Sequence, residues 1–561
     1  MYDLVNASHP EAVSSTDAAA APPAARMRQT LGATLLFVAL TAALTWPQAL
    51  VLSTHAQNHE DVYFNMWRLR WVAHALAEDR AHLFEANIFH PEPRTLTLSD
   101  AMIVEGIIGA PLLWAGLPPV LVHNLLLFGA IVASAAGIFV LARSLTGSPA
   151  AGIVAGIIFA FAPYRVDHYM HMELQWTVWI PWTFWAMHRT LDTGRFKYGL
   201  LTGLFFSLQM LSSVYYGAFL GMSLAVAGGL LLARNVRNFG RSVRAFAPGL
   251  ALAIVVCGLY SRPYIETSRA VGDRSLNEIR TFSARRSSYL ISTPDNILWG
   301  DALSDRSRPE RRLFPGALAL ILAGVSLLVR RPSMVLAAYL AAAFFLYEFS
   351  LGFSGSIYAF LYDHFPLVHG LRAIARAGVF VLFCIAVLAA FGFSAVMTLA
   401  PARLRRTLAL VVCVVLLFEY RVRPLALSRF ENDPSPVEAW LSEQPPGVVA
   451  HLPMGDPNAL PGPEAHYTYL SSFHWKPIVN GYSGFYPGSF LDRARAMRGF
   501  PGEDALARLR HDGVRYIVVH MEDYPADQHS LIREAMTTSY GFPELARFVR
   551  GRSETIVWGM Q

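Results

Sequence analysis

The run AMIVEGIIGAPLLWAGLPPV, residues 101–120, is apolar enough to cross a bilayer, yet it carries Glu105 and ends in Pro118 and Pro119. Whether it crosses decides the topology of the rest of the chain. Charge settles the question. If the run lies in the interface, the short loops at 143–148, 189–197, 234–244, 330–332 and 401–406 share one side of the membrane and hold 13 Arg and Lys against one acid, Asp192. That asymmetry is what the positive-inside rule asks of cytoplasmic loops. A crossing at 101–120 would move several of those arginines outside. The run is therefore read as interfacial.

Outward from it, a helix needs about 20 apolar residues to cross the hydrocarbon, with shorter runs tolerated inside a bundle. Eleven spans satisfy this, near 31–52, 119–142, 149–163, 174–188, 198–212, 214–233, 246–261, 313–330, 333–350, 376–399 and 405–420. With 54% hydrophobic and 15% charged residues and a mean hydropathy of +0.36, the chain reads as a multi-pass α-helical membrane protein. The net charge of +6 is nearly all arginine, since Lys197 and Lys476 are the only lysines, and no basic patch on a soluble domain points to nucleic acid. Cys257, Cys384 and Cys413 each lie in an apolar run, without metal or disulfide spacing.

The chain divides into three regions. Residues 1–29 read as a disordered cytoplasmic tail, 30–424 as the membrane domain and 425–561 as an extracytoplasmic domain. Strand-like "GVVAHLP", "VRYIVVHM" and "ETIVWGM" alternate there with helical "GEDALARLRHDG", which makes the last region a mixed α/β domain. The N-terminus is then cytoplasmic and the C-terminus outside, together with loops 53–118 and 262–312.

Two polar clusters stand at outer ends of neighbouring spans. In the first, "NHEDVYFNMWRLRWVAHAL" at 58–76, Glu60 and Asp61 head a Trp-rich helical pattern suited to the interface. Acids at a helix N-terminus are also favoured by the dipole alone. The second, "PYRVDHYMHMELQW", offers Asp167, His168, His171 and Glu173. With His59, the two clusters supply imidazole and carboxylate groups suited to a divalent ion such as Mg or Mn, and His59, His168 and His171 are the metal candidates.

The first span, the acidic pair, "WRLRWVAHAL", "NIFHPEP", "LVHNLLL", "LARSLTG" and "FAPYRVDH" together resemble the GT-C superfamily of integral-membrane glycosyltransferases, over roughly residues 30–400. Protein O-mannosyltransferases and aminoarabinose transferases are similar in layout. The resemblance implies a GT-C-like fold in a bacterial inner membrane, a polyprenyl-phosphate sugar donor and a glycan, lipid or protein acceptor. It also implies an essential acid in the first outer loop, matching Asp61 or Glu60, and a second in the next outer loop, matching Asp167. Here "HED" replaces a clean Asp-x-Asp.

Transfer from a lipid phosphate releases a stable anion, so it asks for a base on the acceptor hydroxyl and fixed cations at the phosphate. Asp61 is the expected base, with Asp167 in support. Arg372 and Arg376, four apart at an outer membrane edge, run against the insertion bias, and a lipid phosphate or Asp363 would compensate them. Arg280, Arg285 and Arg286 of the long outer loop are the alternative phosphate ligands. Two other classes share these features: a transporter or flippase for a lipid-linked glycan, and an inactive scaffold of an envelope polysaccharide system.

Overall fold

In the computed structural model, which describes residues 22–234, 238–272, 274–305, 308–329, 333–365 and 368–560, each of the eleven apolar runs contains a helix. Most of the expected disordered tail, residues 1–21, lies outside the described residues. Among the described residues, six helices are long and apolar enough to cross a membrane: Pro23–Leu44, Pro119–Thr146, Pro149–Asp167, Val214–Arg234, Phe239–Val271 and Ile374–Leu399. Shorter apolar helices, Ala317–Val329 and Met334–Ser350 among them, pack between these, giving a multi-pass helical body.

The first span differs from its expected place at 31–52. Its helix is Pro23–Leu44 and starts inside the stretch read as tail. The residue before a proline avoids helical geometry, so Trp46 before Pro47 sets the end, while alanines at 24 and 25 favour extension at the start. The run at 101–120 forms Ile103–Trp114, twelve residues and so about 18 Å long, well short of a roughly 30 Å hydrocarbon core. This helix packs along Glu60–Glu78 so closely that a Cβ on Gly106 would overlap the Val72 side chain.

Gly378–Leu399 is apolar all round and sits at the centre of the bundle, where Phe383 packs against Phe159, Phe184 and Tyr339. On its flank, Phe196–Ser212 and Phe239–Val271 touch backbone to backbone: a Cβ on Gly203 would fall on the Gly249 carbonyl. Small residues permit such approach where lipid supplies no hydrophobic drive.

The C-terminal region builds a four-stranded mixed sheet in the order Val448–Leu452, Val514–His520, Ser553–Gly559, Glu544–Arg550, the first pair parallel and the others antiparallel. Glu544–Arg550 is the strand that pattern reading missed. Its outward face is largely exposed, so it lacks a strong apolar alternation. The domain is fastened to the first loop rather than hung from a tether. Strand His55–Gln57 pairs with Leu427–Arg429, and the backbones of Phe89 and His90 donate to the carbonyls of Asn480 (2.8 Å) and Ile478 (2.9 Å). Arg493, wholly buried, donates to the His90 and Val479 carbonyls and pairs with Asp512 at 2.5 Å.

The charge asymmetry of the short loops yields a direct expectation. In a cysteine-free background, a cysteine replacing exposed Asp504 should react with an impermeant maleimide on intact cells, and one replacing exposed Arg405 only after permeabilisation. The reverse pattern overturns the topology.

Candidate active site

The helix Glu60–Glu78 presents Asp61, Asn65 and Arg68 four and three residues apart, hence on one face, and all three bond to the segment between the third and fourth expected spans. Asn65 Nδ2 donates to the Met170 carbonyl at 2.7 Å. Arg68, 1% exposed, donates to Glu173 at 2.9 Å, to the Asp100 carbonyl at 2.7 Å and to Asn65 Oδ1, and its guanidinium lies over the Phe64 ring. These bonds fix the pairing at the helix N-terminus. There His171 Nε2 lies 3.1 Å from Asp61 Oδ2, Tyr482 of the C-terminal domain donates to Oδ1 at 2.8 Å, and His59 Nδ1 lies 3.3 Å from Oδ2. His59 is also the N-cap, accepting the Asp61 backbone N–H at 3.1 Å.

Asp61 is 16% exposed and Glu60, pointing outward, 49%. Burial alone would raise the Asp61 carboxyl, but His171, His59 and Tyr482 together hold it well below the usual carboxylate range. Burial likewise opposes charge on His171, and Asp61 with Glu173 outweighs it, leaving that imidazole raised. Glu173 is held low by Arg68 and His171 against its own burial. The Asp61 contribution to stability is thus full above 3.8 and lost in strong acid, while that of His171 is full below 6.5 and lost as pH rises through its raised value. Between 3.8 and 6.5 the pair is at full strength.

Because the Asp61 carboxylate only accepts, Nε2 of His171 carries the proton facing it, and in the neutral ring, above its raised value, Nδ1 is the free nitrogen. Nδ1 is buried with no hydrogen-bond partner among the described residues, as are both ring nitrogens of His168, whose ring lies 5.4 Å from that of His171. Arg376 belongs to this basin: it is 9% exposed, packs over the Tyr215 ring, and acts through space on His168 and His171. Its guanidinium makes no hydrogen bond or ion pair with the described residues, and Glu310 and Glu173 reach it only through space.

Other expected residues lie elsewhere. Asp167 is tied to Arg312 at 2.9 Å and does not join Asp61. Arg372 binds Glu278 at 3.0 Å and the Gly484 carbonyl at 3.0 Å, so its counter-charge is Glu278 and not Asp363. Arg274 shares that Glu278 at 3.6 Å. Arg280, Arg285 and Arg286 are exposed, away from the basin. His59 contacts Asp61 and His168 packs on Tyr164, and among the described residues no group of three or more His, Cys, Asp or Glu is placed to hold a metal ion. The sequence pattern did not single out Asn65, Arg68, Asp100 and Tyr482. The polar stripe at 61, 65 and 68, at helical spacing, was the available signal for the first two. Asp100, buried beside Glu173 and pushed up to about 6 chiefly by that burial, and Tyr482, 421 residues from Asp61, gave none.

The polar basin is made by two loops at helix ends and closed by a C-terminal α/β domain, and the chain shares its overall fold with a solved oligosaccharyltransferase. It is similar to the apo crystal structure of the Archaeoglobus fulgidus oligosaccharyltransferase, with a TM-score of 0.50 and 12% identity over 88% of this chain and 69% of that one. A structure of the archaeal oligosaccharyltransferase AglB from the same organism, in complex with an inhibitory peptide and a dolichol-phosphate, gives a TM-score of 0.48 at the same identity and coverage. No protein-family model and no curated protein sequence matches the chain.

Removing one partner of a buried ion pair strands the other, at about 3–5 kcal/mol. Arg68→Ala should therefore lower Tm of the detergent-solubilised protein steeply, while Glu60→Gln shifts stability by no more than about 0.5 kcal/mol. Equal melting of Arg68→Ala and the parent protein would rule out the pair as the fastening of this site.

Proposed function

We propose that the chain transfers a sugar from a polyprenyl-phosphate donor to an acceptor hydroxyl at the outer face of a bacterial inner membrane, with inversion at the anomeric carbon. The observation that carries this reading is Arg376, a buried guanidinium without a bonded carboxylate, in one basin with an imidazole whose free nitrogen is backed by a carboxylate. A buried cation requires a counter-charge, and a phosphodiester entering from the membrane edge supplies one. The oligosaccharyltransferase-like fold supports glycosyl transfer as the reaction class.

The residues divide the work between base, orienting group and counter-charge. His171 Nδ1 accepts the proton of the acceptor hydroxyl, and Asp61 holds the ring by Nε2 and stabilises the imidazolium that forms. A carboxylate held as low as Asp61 is a weak proton acceptor itself, so its part is to orient and to offset charge. The freed oxygen attacks the anomeric carbon from the face opposite the carrier, the carbon–oxygen bond to phosphate breaks, and the departing phosphate keeps the bonding pair. Its charge falls to Arg376. A phosphate leaves as a stable anion, so no general acid is required. The acceptor is a glycan, lipid or protein hydroxyl.

Two measurements on purified protein in lipid nanodiscs, with radiolabelled polyprenyl-phosphate sugars, test this. Asp61→Asn and His171→Gln should each lower turnover about 10²- to 10⁴-fold with insertion intact, and Glu60→Gln far less. Full turnover in both of the first two variants rejects the assignment, and no turnover in the parent protein points to a scaffold.

For the phosphate, Arg376→Ala should weaken carrier-lipid binding about ten- to a hundredfold, the equivalent of roughly 1.5–3 kcal/mol for a charge-assisted contact. Lysine should rescue only in part, lacking the paired donors. Arg372→Ala should instead lower thermal stability by loosening Glu278 and Gly484. Carrier affinity that follows Arg372 and ignores Arg376 would transfer the phosphate to the other arginine.

A further inference from the structure

A cleft of about 510 Å³ opens between the second half of helix Glu60–Glu78, the end of Ile103–Trp114 and the first residues of the C-terminal domain. Arg70, His74 and Glu78 line it at intervals of four. At 100° and 1.5 Å per residue, Arg70 stands about half a turn round the helix from Asp61 and about 14 Å further along it. The cleft is thus a separate place from the transfer centre, and a ligand held there is independent of the chemistry assigned to that centre.

One wall is aromatic. The rings of Trp475 and His74 stack with centroids 4.2 Å apart and planes at 11°, the Arg70 guanidinium lies 4.2 Å over Phe473, and Trp114 stands 57% exposed at the rim. Trp475 holds this place at φ 55°, a left-handed conformation that a bulky residue adopts only when its surroundings impose it, and such strain gathers at ligand sites. The other wall is made of hydrogen-bond acceptors. Asn432 Nδ2 donates to the Ser53 carbonyl at 3.1 Å while its Oδ1 is buried without a partner among the described residues. Glu78 and Asp433 are exposed and make no hydrogen bond or ion pair with the described residues.

Flat aromatic faces beside unengaged carboxylate and amide oxygens fit a ligand that has apolar C–H faces and many hydroxyl donors. An anionic lipid headgroup fits badly: two carboxylates repel it, and Arg70 already gives Nη2 to the Ser472 carbonyl at 2.8 Å. We infer that this cleft is a saccharide-binding site that takes a neutral glycan chain, at the seam between the first loop and the C-terminal domain.

The test uses the full chain in detergent and a panel of neutral linear hexasaccharides in gluco, manno and galacto configuration, read by tryptophan fluorescence and saturation-transfer NMR. Trp475 is left in place because its backbone is strained; Trp114→Ala and Asp433→Asn lie on the rim and report the site. At least one hexasaccharide should bind, and each variant should weaken it about two- to tenfold, the loss that one aromatic contact or hydrogen bond represents, with Tm unchanged. No binding across the panel, or binding that both variants leave untouched, overturns the proposal. A response to nanodiscs of phosphatidylglycerol or phosphatidylcholine in place of any saccharide overturns it as well and makes the cleft a headgroup site.

Discussion

Arg68 places a full positive charge where water does not reach, and the site is arranged around that fact. A guanidinium at 1% exposure is tolerable only if its donors are met and its charge is offset. Glu173 supplies the charge, Asn65 and the Asp100 carbonyl supply acceptors, and Phe64 supplies a π face. Those partners come from three stretches of chain, so satisfying Arg68 brings the first-loop helix, the 163–175 segment and the start of the interfacial helix into one register. His171, two residues from Glu173, then has one carboxylate within reach, that of Asp61.

The C-terminal domain is part of the same construction. Tyr482 completes the shell of Asp61, the loop at 87–90 pairs with the 478–480 backbone, and Arg372 and Arg274 converge on Glu278 beside the Gly484 carbonyl. The helical body and the C-terminal domain therefore share walls at both the basin and the aromatic cleft. Pairing also sorts the arginines. Arg68, Arg312, Arg372 and Arg493 have bonded carboxylates and act as fastenings, whereas Arg376 is buried without one. Sequence position alone put Arg372 and Arg376 on equal terms; only their partners separate them.

The chain's architecture was legible in one dimension because membrane crossing is a local property. Length of apolar run, interruption by charge and the arginine bias of short loops act within a few turns of helix, so the eleven helical runs and three of the four strands of the C-terminal sheet could be read from the string. Asp61 was also visible, as the head of an amphipathic helix. Tertiary structure decided what the polar residues do, because an ion pair depends on distance through space and not along the chain. Asp167, next in sequence to the site histidines, is drawn away by Arg312 from a loop 145 residues on, and Tyr482 arrives from 421 residues off. No spacing rule carries either partner. The bounds of the first helix, its end set by Pro47 and its start by an alanine-rich lead rather than by hydropathy, were displaced for the opposite reason: backbone preferences there outweigh the apolar pattern.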